Sequence, residues 1–297
     1  MRYLPMLCLS LLPAWANSDI EIFNDENRED QSEIIYYLKK SPDAKSLAVI
    51  LQGSDCNSIY NNQFVLDNFA DLLPKTDTLL VEKYGITHQL PYVKDERKDC
   101  PKEYLDNDSM AQRVQDYVQV LDKLKDHYQN IYLIGGSEGA VVAALLSEKL
   151  DYIDATIAMN GGGQYFLDDI YYFIEKNVPA EYHEEAKASF KESLQAVLDG
   201  KSEDYLSEHG KKWWQSVTNI DFQQTLENSQ NQILVIQTLN DDNVNWQGAI
   251  DMSKRIQSNK VKFHFIDGQN HYFENDKGER SANELKAIIQ DWLKQVL

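Results

Sequence analysis

The chain has 297 residues, 42% of them hydrophobic and 11% aromatic, which is enough to bury a large core, and α/β proteins of this size often form one domain. With 48 acidic against 29 basic residues, the formal net charge is −19. A strongly acidic surface repels phosphate, so the composition argues against a nucleic-acid partner and is typical of a solvated acidic exterior.

The first sixteen residues are predicted to be a secretory signal peptide. Arg2 is followed by an apolar run from Leu4 to Leu12 and by Ala14-Trp15-Ala16, a small-x-small pattern that predicts cleavage after Ala16. The apolar run is too short to span a bilayer, and no later segment is long and apolar enough to do so. We therefore expect an exported protein, periplasmic or secreted, whose residues 17–297 form a single domain without a membrane span.

Removal of the signal peptide leaves two cysteines, Cys56 and Cys100. Because an exported chain meets an oxidising compartment, a single disulfide is the natural pairing, and two free thiols are the alternative. Neither cysteine has a Cys-x-x-Cys or metal-ligand neighbour, so we expect neither redox catalysis nor a metal site.

Strand signals alternate with helix signals along the mature chain, which predicts a mostly parallel sheet covered by helices on both faces. Two helices begin with capping boxes, Ser109 with Gln112 and, in the last helix, Ser281 with Glu284. The predicted strands are Ile34–Lys39, Leu47–Gln52, Thr78–Lys83, Ile131–Ile134, Ala155–Met159, Ile233–Thr238 and Lys262–Ile266.

Two segments depart from this alternation. Residues 164–230 are helical in pattern and rich in aromatic side chains, which predicts an inserted helical cap with a few of its rings lining a pocket and the others filling the cap's own core. Residues 85–108 are polar and contain Cys100. They are long for a connecting loop, so we expect them to border a functional cleft.

Ser137 is the candidate nucleophile. It is the centre of Gly135-Gly136-Ser137-Glu138-Gly139, with an apolar strand before it and an apolar helix after it. A sharp turn between strand and helix exposes the serine oxygen, and glycines relieve the crowding where the chain reverses. The alternative is a glycine-rich turn with an incidental serine.

A serine nucleophile needs a base, and His271 is the best of the six histidines because it follows the last predicted strand in a loop. Asp241 and Asp242 directly follow the strand before it, and a carboxylate there could hold the histidine ring in one tautomer. The residues themselves leave the choice of aspartate open. Asp-Asp-Asn is also a common turn sequence before a helix.

The order Ser137, Asp, His271, with each partner just past a strand, resembles the α/β-hydrolase superfamily over nearly all of the mature chain. The implied fold is a mostly parallel sheet of about seven or eight strands with helices on both faces and a helical cap insertion. The elbow and Asp241-Asp242-Asn243-Val244 resemble the catalytic domain of the prolyl oligopeptidase family, where the first aspartate of such a pair is the triad acid. This resemblance selects Asp241. Peptidases of that family carry a β-propeller before the hydrolase domain, and here only about twenty mature residues precede the first predicted strand. The resemblance therefore does not imply peptidase activity.

The superfamily also implies an oxyanion hole, formed by the N–H after the nucleophile and one from the loop after an earlier strand. Glu138 supplies the first. The second comes from Ser54, or from Gly53, in Gln52-Gly53-Ser54-Asp55, which the residues alone allow to be a plain turn. A disulfide between Cys56 and Cys100 would pin this loop to residues 85–108.

We therefore predict an exported serine hydrolase that cleaves carboxylic esters of small or medium substrates through an acyl-enzyme, with no metal or organic cofactor. Its expected partner is a small-molecule or peptide acyl substrate. Amide or peptide cleavage of the prolyl oligopeptidase type ranks second, and thioester hydrolysis ranks third because export removes the protein from intracellular acyl-CoA. A non-catalytic ligand-binding protein on a hydrolase scaffold is the alternative from another class.

Overall fold

The computed structural model describes residues 20–70, 72–202, 205–280 and 282–297. The predicted signal peptide at residues 1–16 lies outside the described residues, and so does Ser281 of the second capping box. Within the described ranges, no helix is long and apolar enough to cross a membrane.

An eight-stranded sheet forms the centre of the molecule, with the strand order β1-β2-β4-β3-β5-β6-β7-β8. β2 is antiparallel to both β1 and β4, and all other neighbours are parallel. The strands are β1 (Ile20–Asn27), β2 (Glu33–Lys39), β3 (Ser46–Leu51), β4 (Thr76–Val81), β5 (Asn130–Gly136), β6 (Ala155–Met159), β7 (Gln232–Thr238) and β8 (Val261–Ile266).

Ten α-helices lie in the described part of the chain. They are α1 (Gln63–Phe69), α2 (Lys102–Asn107), α3 (Met110–Leu124), α4 (Glu138–Lys149), α5 (Phe166–Asn177), α6 (His183–Leu198), α7 (Lys211–Val217), α8 (Phe222–Glu227), α9 (Trp246–Arg255) and α10 (Ala282–Val296). The mostly parallel sheet with helices on both faces is the α/β-hydrolase fold, as the sequence predicts.

All seven predicted strands are present, each within two residues of its predicted bounds. β1 is the strand that the sequence does not reveal. Its sequence, Ile-Glu-Ile-Phe-Asn-Asp-Glu-Asn, is largely polar, and most of its residues are exposed at the edge of the sheet. Because neither face of β1 is fully buried, no alternation of apolar and polar residues marks it as a strand.

The core has a layer on each face of the sheet. One layer packs α3 and α4 on the sheet, with Val120, Leu121 and Leu146 fully buried. The other contains α1 and α10, where Leu285, Ile289, Trp292 and Leu293 are buried as the last helix closes the fold. Helices thus cover the parallel strands on both sides, which explains their continuous apolar sequences.

One of the two hydrogen bonds of the predicted capping box is present at the start of α3. Ser109 Oγ accepts a hydrogen bond from the N–H of Gln112 at 3.1 Å, as expected of an N-cap. The Gln112 side chain, however, donates to Asp116 Oδ1 at 2.7 Å instead of returning to the Ser109 backbone. Asp116 also forms a buried ion pair with Arg28, whose Nη2 donates to Asp116 Oδ2 at 2.8 Å.

Residues 164–230, which include helices α5 to α8, lie between β6 and β7, and we call them the cap segment. Their aromatic side chains serve different purposes. Trp213 and Trp214 are buried and pack edge-on against each other, with Phe166 and Phe190 beside them. Other rings, such as that of Tyr182, are exposed. The packed rings bind the cap segment to the sheet side of the molecule through apolar contact.

A disulfide joins Cys56, in the loop after β3, to Cys100, just before α2. The two Cα atoms lie 5.6 Å apart, although the residues are 44 positions apart in sequence. The disulfide therefore fixes the loop after β3 to residues 85–108, the polar segment identified in the sequence, which we call the polar excursion.

Candidate active site

Ser137 occupies a sharp turn between β5 and α4. Its backbone has φ 55° and ψ −126°, a conformation that is costly for a residue with a side chain. Hydrogen bonds hold it there: the Ser137 N–H donates to the Met159 carbonyl at 2.8 Å, and the Ser137 carbonyl accepts from the Ala140 N–H at 2.9 Å. A strained serine that the surrounding backbone maintains in this way points to a function for its side chain.

Two glycines allow the chain to reverse around Ser137. A Cβ atom on Gly139 would lie 2.0 Å from the Leu51 carbonyl oxygen, and one on Gly135 would lie 2.1 Å from the Gly139 carbonyl oxygen. The first turn of α4 therefore rests directly on the end of β3. Gly136 differs, since a Cβ atom there would meet nothing within 4 Å.

Asp241 lies three residues beyond the end of β7 and is fully buried, whereas Asp242 is exposed. Asp241 Oδ1 accepts hydrogen bonds from the N–H groups of Asn243, at 2.8 Å, and Val244, at 3.1 Å. Its other oxygen accepts a hydrogen bond from His271 Nδ1 at 2.7 Å. The structure thus brings the predicted acid and base together and leaves Asp242 out of the pair.

His271 follows β8 and lines the same cavity as Ser137. Since Nδ1 donates to Asp241, Nε2 is the nitrogen left with a lone pair for a proton. Among the described residues no hydrogen bond joins His271 Nε2 to Ser137 Oγ. Such bonds are often long before substrate binds, so the two side chains remain candidates for one catalytic unit.

Asn160 is a site residue that the sequence analysis missed. It directly follows β6, its Nδ2 donates to the His271 carbonyl at 2.9 Å, and its Oδ1 accepts from the Thr238 N–H at 2.9 Å. The side chain therefore ties the histidine loop to the end of β7, close to Asp241. The available signal was its position, a polar residue at the carboxyl edge of a central strand.

A cavity of about 370 Å³ opens beside Ser137 and His271. Gln52, Gly53, Ser54 and Asp55 are among its lining residues, and Gly53 lies beside Ser137. Many of the apolar lining residues belong to the cap segment, and the apolar lining includes Val141, Phe166, Ile170, Phe173, Trp213, Trp214, Val217, Ile220 and Phe222. The cavity therefore combines an apolar compartment with the polar residues around Ser137.

The side chain of Glu138, the residue after the nucleophile, belongs to a buried charged cluster beneath the cavity. Its carboxylate forms an ion pair with Arg113 and accepts a hydrogen bond from Trp213 Nε1 at 2.8 Å. Burial alone would raise the pKa of Glu138, but the charges of Arg113 and Lys83 outweigh it and hold that pKa below its usual value. Glu138 is therefore a fixed anion next to Ser137.

His209 connects this cluster to the polar excursion. Its ring stacks on Trp213 with centroids 3.6 Å apart, and its Nε2 lies 2.8 Å from Arg97 Nη1. Burial lowers the pKa of His209 to about 3, so the ring is neutral at physiological pH and accepts the hydrogen bond from Arg97. A neutral His209 that stacks on Trp213 and accepts from Arg97 is a structural partner of both residues.

Asp169, in the first turn of α5, fastens the cap segment to the carboxyl edge of the sheet. Its Oδ1 accepts hydrogen bonds from the N–H groups of Gly163, at 3.0 Å, and Asn245, at 2.7 Å. Burial raises its pKa to about 7, and the nearby charges of Asp168 and Asp241 act in the same direction.

Residues 20–70, 72–202, 205–280 and 282–297 contain no group of three His, Cys, Asp or Glu side chains suited to hold a metal ion.

Comparisons with known proteins place this site in context. The family model described as BAAT / Acyl-CoA thioester hydrolase C terminal matches residues 112–274, a stretch that contains Ser137, Asp241 and His271. No curated protein matches the chain in sequence.

Solved structures match at low identity. Est1E from Butyrivibrio proteoclasticus is 14% identical, with 94% of this chain and 98% of that chain covered and a TM-score of 0.57. The Pyrococcus furiosus esterase Pf2001 is 15% identical over 94% and 91% of the chains, with a TM-score of 0.59. The Pyrococcus horikoshii acylaminoacyl peptidase is 13% identical over 94% of this chain but 42% of its own, with a TM-score of 0.59. These likenesses show the α/β-hydrolase fold.

The glycine contacts lead to a prediction about stability. Gly139→Ala should lower the free energy of unfolding by about 3 kcal/mol or more, because the new methyl group meets a backbone carbonyl that cannot move cheaply. Gly136→Ala is the matched control and should change it by less than about 1 kcal/mol, since space is open there. Urea unfolding of both variants measures the difference, and equal midpoints would contradict the close packing of α4 on β3.

Asp169 leads to a prediction about pH. Its folded pKa of about 7 lies above the usual 3.8, so the folded protein holds a proton that the unfolded chain loses, and this residue makes the free energy of unfolding fall as the pH rises from about 4 to 7. Asp169→Asn keeps the accepting oxygen and should remove this fall, stabilising the protein at pH 8 by about 4 kcal/mol.

Asp168→Asn is the control, since it removes the same charge from an exposed neighbour in the same turn of α5. Urea unfolding at pH 5 and pH 8 compares the three proteins. An Asp169→Asn variant that keeps the pH dependence of the wild type would show that Asp169 is not protonated at neutral pH.

Proposed function

Because the chain belongs to the BAAT / acyl-CoA thioester hydrolase C-terminal family and is a serine hydrolase of ester or amide bonds, we propose that it cleaves carboxylic esters through an acyl-enzyme on Ser137. The observation that carries this proposal is the arrangement of three side chains. Ser137, on its strained turn, shares a cavity with His271, whose Nδ1 is bonded to the buried Asp241.

The reaction follows from this arrangement. Ser137 Oγ attacks the ester carbonyl carbon while His271 Nε2 takes the hydroxyl proton, and the buried carboxylate of Asp241 stabilises the imidazolium that forms. The tetrahedral intermediate collapses as the carbon–oxygen bond to the alcohol breaks, and His271 returns the proton to the departing oxygen. Water, deprotonated by His271, then attacks the acyl-enzyme and releases the carboxylic acid and free Ser137.

The negative oxygen of the intermediate needs donors that are already in place. The N–H of Glu138 is suitable because it is the first N–H of α4 and has no acceptor within the helix. The second donor is the N–H of Ser54, or that of Gly53, on the loop that lines the cavity beside Ser137. Fixed donors of this kind are worth roughly 10²–10³ in rate each.

The apolar wall of the cavity supports an apolar acyl group. Phe166, Trp213 and Phe222 offer ring surfaces, and Val217 and Ile220 offer branched aliphatic surface. A small or medium acyl chain that enters this compartment leaves water and gains about 0.8 kcal/mol for each buried CH₂ group.

The disulfide between Cys56 and Cys100 supports the further proposal that the protein works after export, in an oxidising compartment.

Thioester hydrolysis is the second candidate, and the description of the matching family favours it. The same three side chains would serve, since a thioester carbonyl is attacked in the same way and its thiolate leaves easily. Amide cleavage asks more of the leaving group, although the fold of an acylaminoacyl peptidase is similar. Carboxylic esters lead because they suit the site with the least added machinery.

Covalent labelling tests the nucleophile. A fluorophosphonate should label the wild type at Ser137 and fail to label Ser137→Ala, and Asp241→Asn should reduce kcat by about 10³–10⁴ because His271 loses its orienting acceptor. Asp242→Asn removes the exposed neighbouring carboxylate and should leave kcat within about twofold. A folded wild type that is not labelled would overturn the enzyme proposal.

A substrate panel tests the bond that is cleaved. p-Nitrophenyl esters should give higher kcat/KM than acyl-CoA thioesters or proline-site aminoacyl anilides, and lengthening the acyl chain from butanoyl to hexanoyl should raise kcat/KM roughly tenfold by burying two more CH₂ groups. Ser137→Ala measures the background rate. Faster turnover of acyl-CoA would favour the second candidate, and faster turnover of the proline-site anilide would favour peptidase activity.

A further inference from the structure

Side chains hold four consecutive backbone carbonyls in the loop after β3. We call Gln52, Gly53, Ser54 and Asp55 the oxyanion loop. Arg113 Nη2 donates to the Gln52 carbonyl at 2.7 Å, and Tyr104 OH donates to the Ser54 carbonyl at 3.3 Å. Lys83 Nζ donates to both the Gly53 and the Asp55 carbonyls at 2.5 Å. Loops seldom have every carbonyl in a row fixed by side chains, so this loop is held with unusual rigidity.

These bonds determine where the N–H groups of the loop point. A peptide unit is planar, and in the trans form its C=O and N–H groups point in opposite directions. The chain has no cis peptide bond in its described residues. Because the Gly53 carbonyl points to Lys83, the N–H of Ser54 in the same peptide unit points away from Lys83.

The nucleophile lies close to this peptide unit. A Cβ atom on Gly53 would lie 3.4 Å from Ser137 Cβ and 4.0 Å from Ser137 Oγ, and Ser54 lines the cavity. In the described structure the Ser54 N–H donates to no acceptor of the protein. A backbone donor that is held in place and left unpaired beside a nucleophile is what a developing oxyanion requires.

We propose that Lys83 is the positioning residue of the oxyanion hole: its two hydrogen bonds lock the Gly53–Ser54 peptide so that the Ser54 N–H faces the reacting carbonyl oxygen. The proposal rests on the function proposed above for Ser137. Lys83 does not touch the substrate and acts through the backbone. Without Lys83 the plane of the Gly53–Ser54 peptide could flip easily, because Gly53 has no side chain to restrict its ψ angle.

The burial of Lys83 supports a specific role. The residue is 3% exposed, and removing an ammonium group from water is costly unless partners compensate for it. Burial and the charge of Arg113 lower the pKa of Lys83 and outweigh the carboxylates of Glu138, Asp55 and Asp108. The Tyr104 ring lies 5.6 Å from its Nζ. An apolar residue would fill the same space without this cost, so core packing alone does not account for a lysine there.

Arg113 extends the same control to the first oxyanion donor. One nitrogen of its guanidinium binds the Gln52 carbonyl of the oxyanion loop, and another binds the Glu138 carboxylate. The planar guanidinium therefore spans the two chain segments whose N–H groups form the hole, and its rigidity fixes their separation. Lys83 is the better residue to test, because loss of Arg113 would also leave the buried Glu138 unpaired.

The test compares Lys83→Met with Tyr117→Phe. Lys83→Met keeps the length of the side chain but removes both hydrogen bonds. Tyr117→Phe is the matched control, since Tyr117 OH donates to the Ile50 carbonyl at 3.0 Å, equally buried but within β3 and before the oxyanion loop. For each protein we would measure kcat and KM with a p-nitrophenyl ester, the rate of fluorophosphonate labelling, and Tm.

Lys83→Met should reduce kcat and the labelling rate by about 10- to 100-fold and change KM less than threefold, because an oxyanion donor acts on the charged transition state and not on the bound ester. Tyr117→Phe should lower Tm and leave kcat within twofold. If Lys83→Met does not fold, Lys83→Gln is measured in its place and should show the same loss of kcat with unchanged KM.

Three results would overturn the proposal about Lys83: a folded variant with kcat within threefold of the wild type, a rise in KM without loss of kcat, or an equal loss of kcat in Tyr117→Phe. Failure of the proposed function gives a different result, because the wild type itself would then resist labelling. A labelled wild type with a Lys83→Met variant labelled equally fast overturns the positioning role alone.

Discussion

The buried ion pair between Arg113 and Glu138 lies where the separate parts of the active site meet. Glu138 follows the nucleophile at the start of α4, and Arg113 comes from α3 and also holds the Gln52 carbonyl after β3. Both side chains are at most 5% exposed, so each needs the other to offset the loss of water. A pair that cannot separate cheaply fixes the relative positions of these segments.

The same ion pair reaches the cap segment and the polar excursion. Trp213 donates to Glu138, His209 stacks on Trp213, and Arg97 bonds to His209 near the disulfide at Cys100. The apolar wall of the cavity and the backbone donors beside Ser137 thus share one network. The cap segment, which lines the cavity, is therefore tied through Trp213 to the helix that follows Ser137.

Features governed by neighbours in sequence were predictable. The buried strands have apolar runs, and the elbow around Ser137 has the glycines that its sharp turn requires, so both could be recognised without a structure. Asp241 and His271 follow strands whose order places their carboxyl ends at one edge, and the structure joins them by a hydrogen bond. Their catalytic roles, like those of Glu138 and Ser54, stay predictions until they are tested.

The sequence by itself determined the pattern of strands and helices and the glycines of the elbow, and it predicted partners for Ser137, because these features depend on local periodicity and on the order of strands. Only the tertiary structure decided the contacts of Asn160, Asp169 and Lys83. Each makes contacts with residues distant in the chain. The adjoining sequence does not mark Asp169 or Lys83, and it marks Asn160 only by its position after β6. The edge strand β1 was not predicted for a related reason: its pairing with β2, and not burial of its own side chains, holds it in place.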